Sequence, residues 1–269
     1  MSDIDVINRR TWRSRGSLRL YGRSAGYFDA AEKAVFHRLA RDFKGCRVLD
    51  IGVGGGRTTP ILQGFAGSYV GIDYTPEMVR TCRERFPDLR FMEMDARNLD
   101  VFANASFDLV VFSCNGIDSV GPEGRMAVLR ECARVLAPGG IFFFSTFNRD
   151  GPGFGSRSNN RKIAWSANPV RVAYDAAKYL VGGVIGVTKI FRNAHLETPH
   201  AEHALLLHRA HDFGILVYAT SIPQLRAQLS EAGFADGSEI VGCSGNPIDG
   251  HRSPTEEYFH ILALKPAAH

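Results

Sequence analysis

VLDIGVGGGRTT, residues 48–59, is a short strand-type run that breaks into a glycine-rich turn and reopens as a helix start. Gly52, Gly54 and Gly56 form a G-x-G-x-G turn whose missing side chains let a ligand approach the backbone. The amides at the start of the following helix favour an anionic or nucleotide-like group over the strand end. Dinucleotide dehydrogenases need G-x-G-x-x-G, and the residue that would be the third glycine is Arg57. The loop therefore predicts an adenosine-type ligand without choosing its chemistry.

Working outward, strand-like apolar segments recur at Arg47–Ile51, Tyr69–Asp73, Leu89–Met94 and Phe107–Ser113, with a fifth at Ile141–Phe147 after the Pro-Gly-Gly breaker at 138–140. Helical stretches separate them. Thr75 and Pro76 open one with Met78, Val79, Cys82 and Phe86 on one side, and Gly121–Leu136 carries Met126, Leu129, Ala133 and Leu136 as a core stripe. Strand–helix alternation demands a mostly parallel sheet with crossover helices, and runs such as LVVFS and IFFFS suit strands buried on both faces. Asp73 ends the second strand 23 residues after Asp50, where a carboxylate can meet ribose hydroxyls.

Asp95 in MDAR, then FDLVVFSCNGID, RVLAPGGIFFFS and LSEAGF at 229–234 follow in order. Together with the loop, these resemble the successive motifs of class I S-adenosylmethionine-dependent methyltransferases, of the small-molecule type. The resemblance implies a doubly wound, seven-stranded Rossmann-like α/β sheet carrying an α-helical and β lid insertion. It divides the chain into N-terminal lid helices at 1–45, a cofactor-binding core at 46–147, a lid insertion at 148–220 and the rest of the core at 221–269. It also implies roles around S-adenosylmethionine, the product being S-adenosylhomocysteine. Asp50, Gly52, Gly54 and Gly56 would line the methionine end, with Arg57 and Thr58 beside the helix terminus. Asp73 would bind ribose, Tyr74 and Met78 would pack on adenine, and Asp95 with Ala96 would meet its amino edge. Met78 serves equally well as a core residue. Cys114 and Asn115 would face the sulfonium and the acceptor.

Ser113-Cys114-Asn115-Gly116 replaces the (D/N/S)-P-P-(Y/F) motif with which enzymes of this class grip planar amine nitrogens, which counts against exocyclic base amines and protein amides. A small-molecule acceptor, methylated on oxygen or nitrogen, is the expectation. The glycine- and serine-rich DGPGFGSRSNN after Asn148 starts an insertion, in which Pro169–Phe191 reads as a helix and Ala204–Leu207 and Gly214–Ala219 as strands. A helix at Ile222–Ala232 and strands near Glu239–Gly242 and Tyr258–Lys265 close the chain. Trp12, Tyr21, Tyr27, Phe28 and Trp165 are candidate pocket walls. His211 and Tyr21 are the candidate general bases. His200/His203 and His208/His211 have H-x-x-H spacing, but three residues along a strand point to opposite faces, so no metal is expected.

The net charge of +4 is unevenly placed: residues 1–28 carry +4 and residues 148–195 carry +6, which leaves −6 for the rest. Both basic segments belong to the expected lid, which predicts an acceptor bearing a carboxylate or phosphate. The six arginines of the N-terminal segment also define the alternative, an RNA methyltransferase with salt-sensitive binding, although no RNA-binding module is recognisable. A third alternative is a fold kept for association alone. Five cysteines without a C-x-x-C pair fit reduced thiols, and the first residues lack an apolar run, so a cytoplasmic monomer or homodimer is expected. Tyr179–Thr188 is about half of a membrane span, yet with Lys189 and Arg192 beside it the segment can lie on a membrane surface.

Overall fold

Strand alternation sorts the central residues into two layers. In the computed structural model, which describes residues 3–22, 26–157, 168–209 and 212–267, the first strand β1 spans Arg47–Ile51 and is buried on both faces. Leu49 and Ile51 enter one core cluster, whereas Val48 enters the other. The adjoining strands are β2 (Ser68–Asp73), β3 (Arg90–Glu93), β4 (Phe107–Phe112) and β5 (Leu136–Asn148). The last two strands of the chain, β9 (Glu239–Gly242) and β10 (Tyr258–Leu264), complete the central unit. Their order is β3-β2-β1-β4-β5-β10-β9, parallel except that β10 runs antiparallel to both β5 and β9. Helices α3 (Ala30–Asp42), α4 (Thr59–Gln63) and α5 (Pro76–Arg85) supply Phe36, Leu62 and Val79 to one face. On the other face, α6 (Pro122–Val135) and α8 (Ile222–Glu231) supply Leu129 and Leu225.

These seven strands are the predicted doubly wound sheet, and three more extend it to ten. The extension consists of β6 (Thr198–Pro199), β7 (His203–His208) and β8 (Ile215–Thr220). It joins the sheet only where Phe147 and Asn148 of β5 pair with Ala219 and Thr220. The Pro-Gly-Gly segment does not delay β5 as expected. Gly139 adopts φ +77°, its amide donates to the Lys265 carbonyl at 3.0 Å, and the strand runs from Leu136 across a register shift. Thr75 also departs from expectation: its side chain makes no cap bond, and its amide donates to Asp73 Oδ1 at 2.8 Å.

The extension is fastened by a buried polar network. Arg125, fully buried on α6, donates to Asp118 at 2.6 Å and to Gln228 at 3.0 Å. Asp118 also accepts from Thr146 Oγ1 and the Phe147 amide, and Gln228 donates to the Tyr218 hydroxyl of β8. Burial pushes the Asp118 carboxyl up to about 6 despite the guanidinium beside it. One N-terminal helix, α1 (Asp3–Trp12), docks on the same region. Asn8 donates to the Ser119 and Leu216 carbonyls and accepts from the Leu216 amide, all within 2.9 Å. A second, α2 (Arg15–Tyr21), follows it.

Candidate active site

The chain turns sharply where β1 ends, and the turn needs backbone that L side chains avoid. Gly52, Gly54 and Gly56 all lie at positive φ, and a Cβ on Gly52 would stand 2.7 Å from the Phe112 ring. Gly55 is required for another reason. Its amide donates to the Tyr21 carbonyl at 2.7 Å, and a Cβ there would lie 2.4 Å from the carbonyl carbon of Gly22. The end of α2 therefore rests directly on the glycine loop.

Beneath that contact lies a cavity of about 520 Å³, within the range of small-molecule sites. Its wall includes Gly52, Gly54, Thr58, Asp73, Tyr74, Met78 and Ala96, and also Trp12, Leu20, Tyr21, Tyr27 and Cys114. Asp73 accepts from the Gly54 amide at 3.0 Å and from Thr75, and burial raises its carboxyl against the pull of these donors. Met78 reconciles its two readings, being almost wholly buried in α5 while also touching the cavity.

Four predicted cofactor residues stand off the cavity wall: Asp50, Gly56, Asp95 and Asn115. Asp50 shares the strand face of Val48 by alternation, which turns it under the loop. There it accepts from Thr58 Oγ1 at 2.7 Å and the Tyr69 hydroxyl at 2.8 Å, with its carboxyl pushed up to about 6 by burial. Asp95 accepts from Arg97 and, at 2.6 Å, from Arg9, and these cations hold its carboxyl below the usual range despite burial. Arg97 also donates to Asp5, so the cluster ties α1 to the loop after β3. Cys114 and Asn115 are consecutive non-glycine residues at φ +58° and +55°. Such strain persists where surrounding bonds impose it, and here the Asn115 amide donates to Ser145 Oγ at 2.7 Å. Asn115 Oδ1 is buried without a hydrogen-bond partner.

Arg57 lines the cavity, but its guanidinium is committed to the N-terminal segment. It donates to both Glu32 oxygens at 2.7 and 2.9 Å, to the Tyr27 carbonyl and to Ser113 Oγ, and lies 4.1 Å over the Phe28 ring. Phe28 thus supports the wall rather than forming it. Tyr21, a predicted base, does line the cavity, and burial, together with the Cys114 thiol, pushes its phenol up to about 12. A phenol in that range donates a proton-bearing hydrogen bond at neutral pH. His211 and Trp165 lie outside the described residues.

The spacing argument for His200 and His203 does not hold, because His200 precedes β7 in a turn and the two rings lie 4.6 Å apart, tilted by 30°. Among the described residues no group of three His, Cys, Asp or Glu side chains is placed to hold a metal. The basic N-terminal segment is partly consumed by ion pairs: Arg9 with Asp95, and Arg13 with Glu77 at 3.1 Å. Sequence reasoning missed Leu20, Met94, Phe112 and Ser119 on the wall. Apolar or small residues at strand and helix ends carry no signal of their own.

Residues 48–140 match the methyltransferase domain family. A curated relative, ubiquinone biosynthesis O-methyltransferase from Xanthomonas oryzae pv. oryzae, is 34% identical over 112 residues, which is 40% of this chain and 46% of that protein. The chain thus spans about half the length of the curated relatives it matches. The fold is shared with an S-adenosylmethionine-dependent methyltransferase from Mesorhizobium loti (TM-score 0.55, 19% identity, 88% of this chain and 98% of that one). It is also shared with the 1,6-didemethyltoxoflavin-N1-methyltransferase of Burkholderia thailandensis, whose structure holds its substrate and S-adenosylhomocysteine (TM-score 0.50, 17% identity, 96% and 82% covered).

Proposed function

From the premise that residues 48–140 form a class I S-adenosylmethionine-dependent methyltransferase domain, we propose that the chain methylates an oxygen or nitrogen of a small molecule with an apolar, aromatic face. The observation that carries this reading is one cavity whose wall joins the glycine loop and Asp73 to a set of aromatic side chains. One set of wall residues fits the cofactor: backbone without side chains at Gly52 and Gly54, a buried carboxylate at Asp73, and the apolar Met78, Met94 and Ala96. Bound there, S-adenosylmethionine supplies an electrophilic methyl group. Asp73 would hold the ribose and Tyr74 with Met78 the adenine.

Trp12 and Tyr21, whose rings meet edge to face at 5.0 Å, would orient a flat acceptor against the same cavity wall. Methyl transfer needs an in-line approach more than it needs acid–base chemistry, and orientation alone supplies several orders of magnitude. The lining among the described residues contains no histidine, and Tyr21 holds its proton, so the acceptor would bring a nucleophile that ionises readily or is already unprotonated. The cation on the wall, Arg57, is neutralised by Glu32. This favours a neutral aromatic acceptor over the anionic one suggested by charge distribution. The name of the curated relative favours oxygen as the accepting atom.

The test is calorimetric binding of S-adenosylhomocysteine, followed by radiolabelled methyl transfer to a panel of phenols, aromatic amines and aromatic acids. Binding and transfer to neutral phenols or amines is expected. Transfer confined to the anionic members would overturn the acceptor class, and absence of binding would overturn the activity. Transfer to RNA with a steep salt dependence would favour the alternative.

A further inference from the structure

Nine of the fifteen exposed large hydrophobic side chains among the described residues lie on one element, the 25-residue helix α7 (Pro169–Asn193). Val170, Leu180, Val181, Val184, Val187 and Phe191 are 59–90% exposed, and at 100° per residue they share an arc of about 120°. Gly182, Gly186 and Asn193, the buried positions, lie on the opposite side. The helix is held to the body through that small-residue side. A Cβ on Gly186 would stand 3.3 Å from the Phe213 ring, and Ile190 packs against the cluster of Leu207, Phe213 and Leu216.

Charge decides what covers the apolar face. Arg171, Lys178 and Lys189 recur on the border between the exposed arc and the buried side, with Arg192 at the helix end. The one acid of the helix, Asp175, lies half-buried on the side facing the body. Two copies of α7 meeting through this face would set cations against cations. An anionic lipid surface would pair with Arg171 and Arg192 while the apolar arc enters the acyl boundary. No described helix is long and apolar enough to cross a membrane, so the geometry is that of a helix lying in the interface.

We infer that the exposed face of α7 docks the protein on an anionic bilayer surface. The inference stands on this helix alone and is independent of the methyl acceptor. It is tested by cosedimentation of the full chain with phosphatidylcholine vesicles, with and without phosphatidylglycerol. Binding to the anionic vesicles, weakened by salt, is expected. Each basic residue near an anionic surface strengthens partition roughly fivefold, so R171Q/R192Q should weaken it about 30-fold. L180D/V184D, at positions 67% and 69% exposed, should abolish it while S-adenosylhomocysteine binding persists. Equal partition onto pure phosphatidylcholine, or none onto either vesicle, overturns the inference. So does a dimer in light scattering that L180D/V184D disperses, which would assign the face to a second copy.

Discussion

Glu32→Gln isolates the clamp that closes the cavity. The Glu32 and Arg57 side chains are only 6% and 15% exposed, and their two hydrogen bonds measure 2.7 and 2.9 Å. Removing one partner of a buried pair costs ~3–5 kcal/mol, because the other charge is left without compensation. Arg57 retains the Tyr27 carbonyl and Ser113 Oγ, which places the expected loss near the lower bound, about 3 kcal/mol. An unfolding entropy of ~2.1 cal/mol/K per residue over 269 residues converts this to a fall in Tm of about 5 °C. Circular dichroism melts would record it. Calorimetry should show weaker S-adenosylhomocysteine binding, since Arg57 and Tyr27 both line the cavity. Adding Arg57→Met removes the stranded charge, so the double variant should be more stable than Glu32→Gln alone. Additive losses in the double variant, or a single-variant Tm within about 1 °C of wild type, would refute the clamp.

Asp50→Asn tests the residue under the loop. Burial pushes its folded carboxyl up to about 6 from an ordinary 3.8, so between those values folding takes up a proton and stability falls as pH rises. The amide removes that loss, and at pH 7 the variant should gain up to ~3 kcal/mol, with Asp118, raised likewise to about 6, retaining its own dependence. Denaturant titrations at pH 4 and pH 7, values chosen to bracket roughly that window, would show no difference between wild type and variant if Asp50 is ordinary. Asp73→Asn should weaken S-adenosylhomocysteine about 10- to 100-fold through loss of charge-assisted bonds, and unchanged affinity would remove Asp73 from the cofactor site. Gly55→Ala places a Cβ 2.4 Å from Gly22 backbone, so amide exchange in α2 should accelerate, whereas unaltered exchange would mean that the two segments do not bear on each other.

What the sequence disclosed followed the range of each interaction. β1 and β9 match the predicted boundaries residue for residue, since short apolar runs between turn signals are local facts. The helix expected within Pro169–Phe191 runs from Pro169 to Asn193. The direction of Asp50 was not legible. A strand residue next to a glycine turn faces either the ligand or the opposite layer, and only the position of Tyr69 on β2 and of Thr58 decides between them. The start of β5 was hidden because the Pro-Gly-Gly segment reads as a breaker, while Lys265, more than a hundred residues later, pairs with both glycines. The three-stranded extension was visible in two of its strands, but its seam with Phe147 and Asn148 was not.

The basic N-terminal segment shows what composition leaves out of a charge argument. Its charge was legible, and so was the deficit elsewhere, but not that the two would meet inside one molecule. Arg9 reaches Asp95, Arg13 reaches Glu77, and Asp5 receives Arg97, across sequence separations of 86, 64 and 92 residues. Exposed pairs of this kind are individually weak, and the Arg13 side chain is 57% exposed. Asp5, however, is 7% exposed, and a buried carboxylate requires its partner. Arg97 thus links Asp5 and Asp95 into a network that holds α1 over the core while Gly55 receives the end of α2. Arg9 and Arg13 of the basic segment thereby help close the chain over its own cavity.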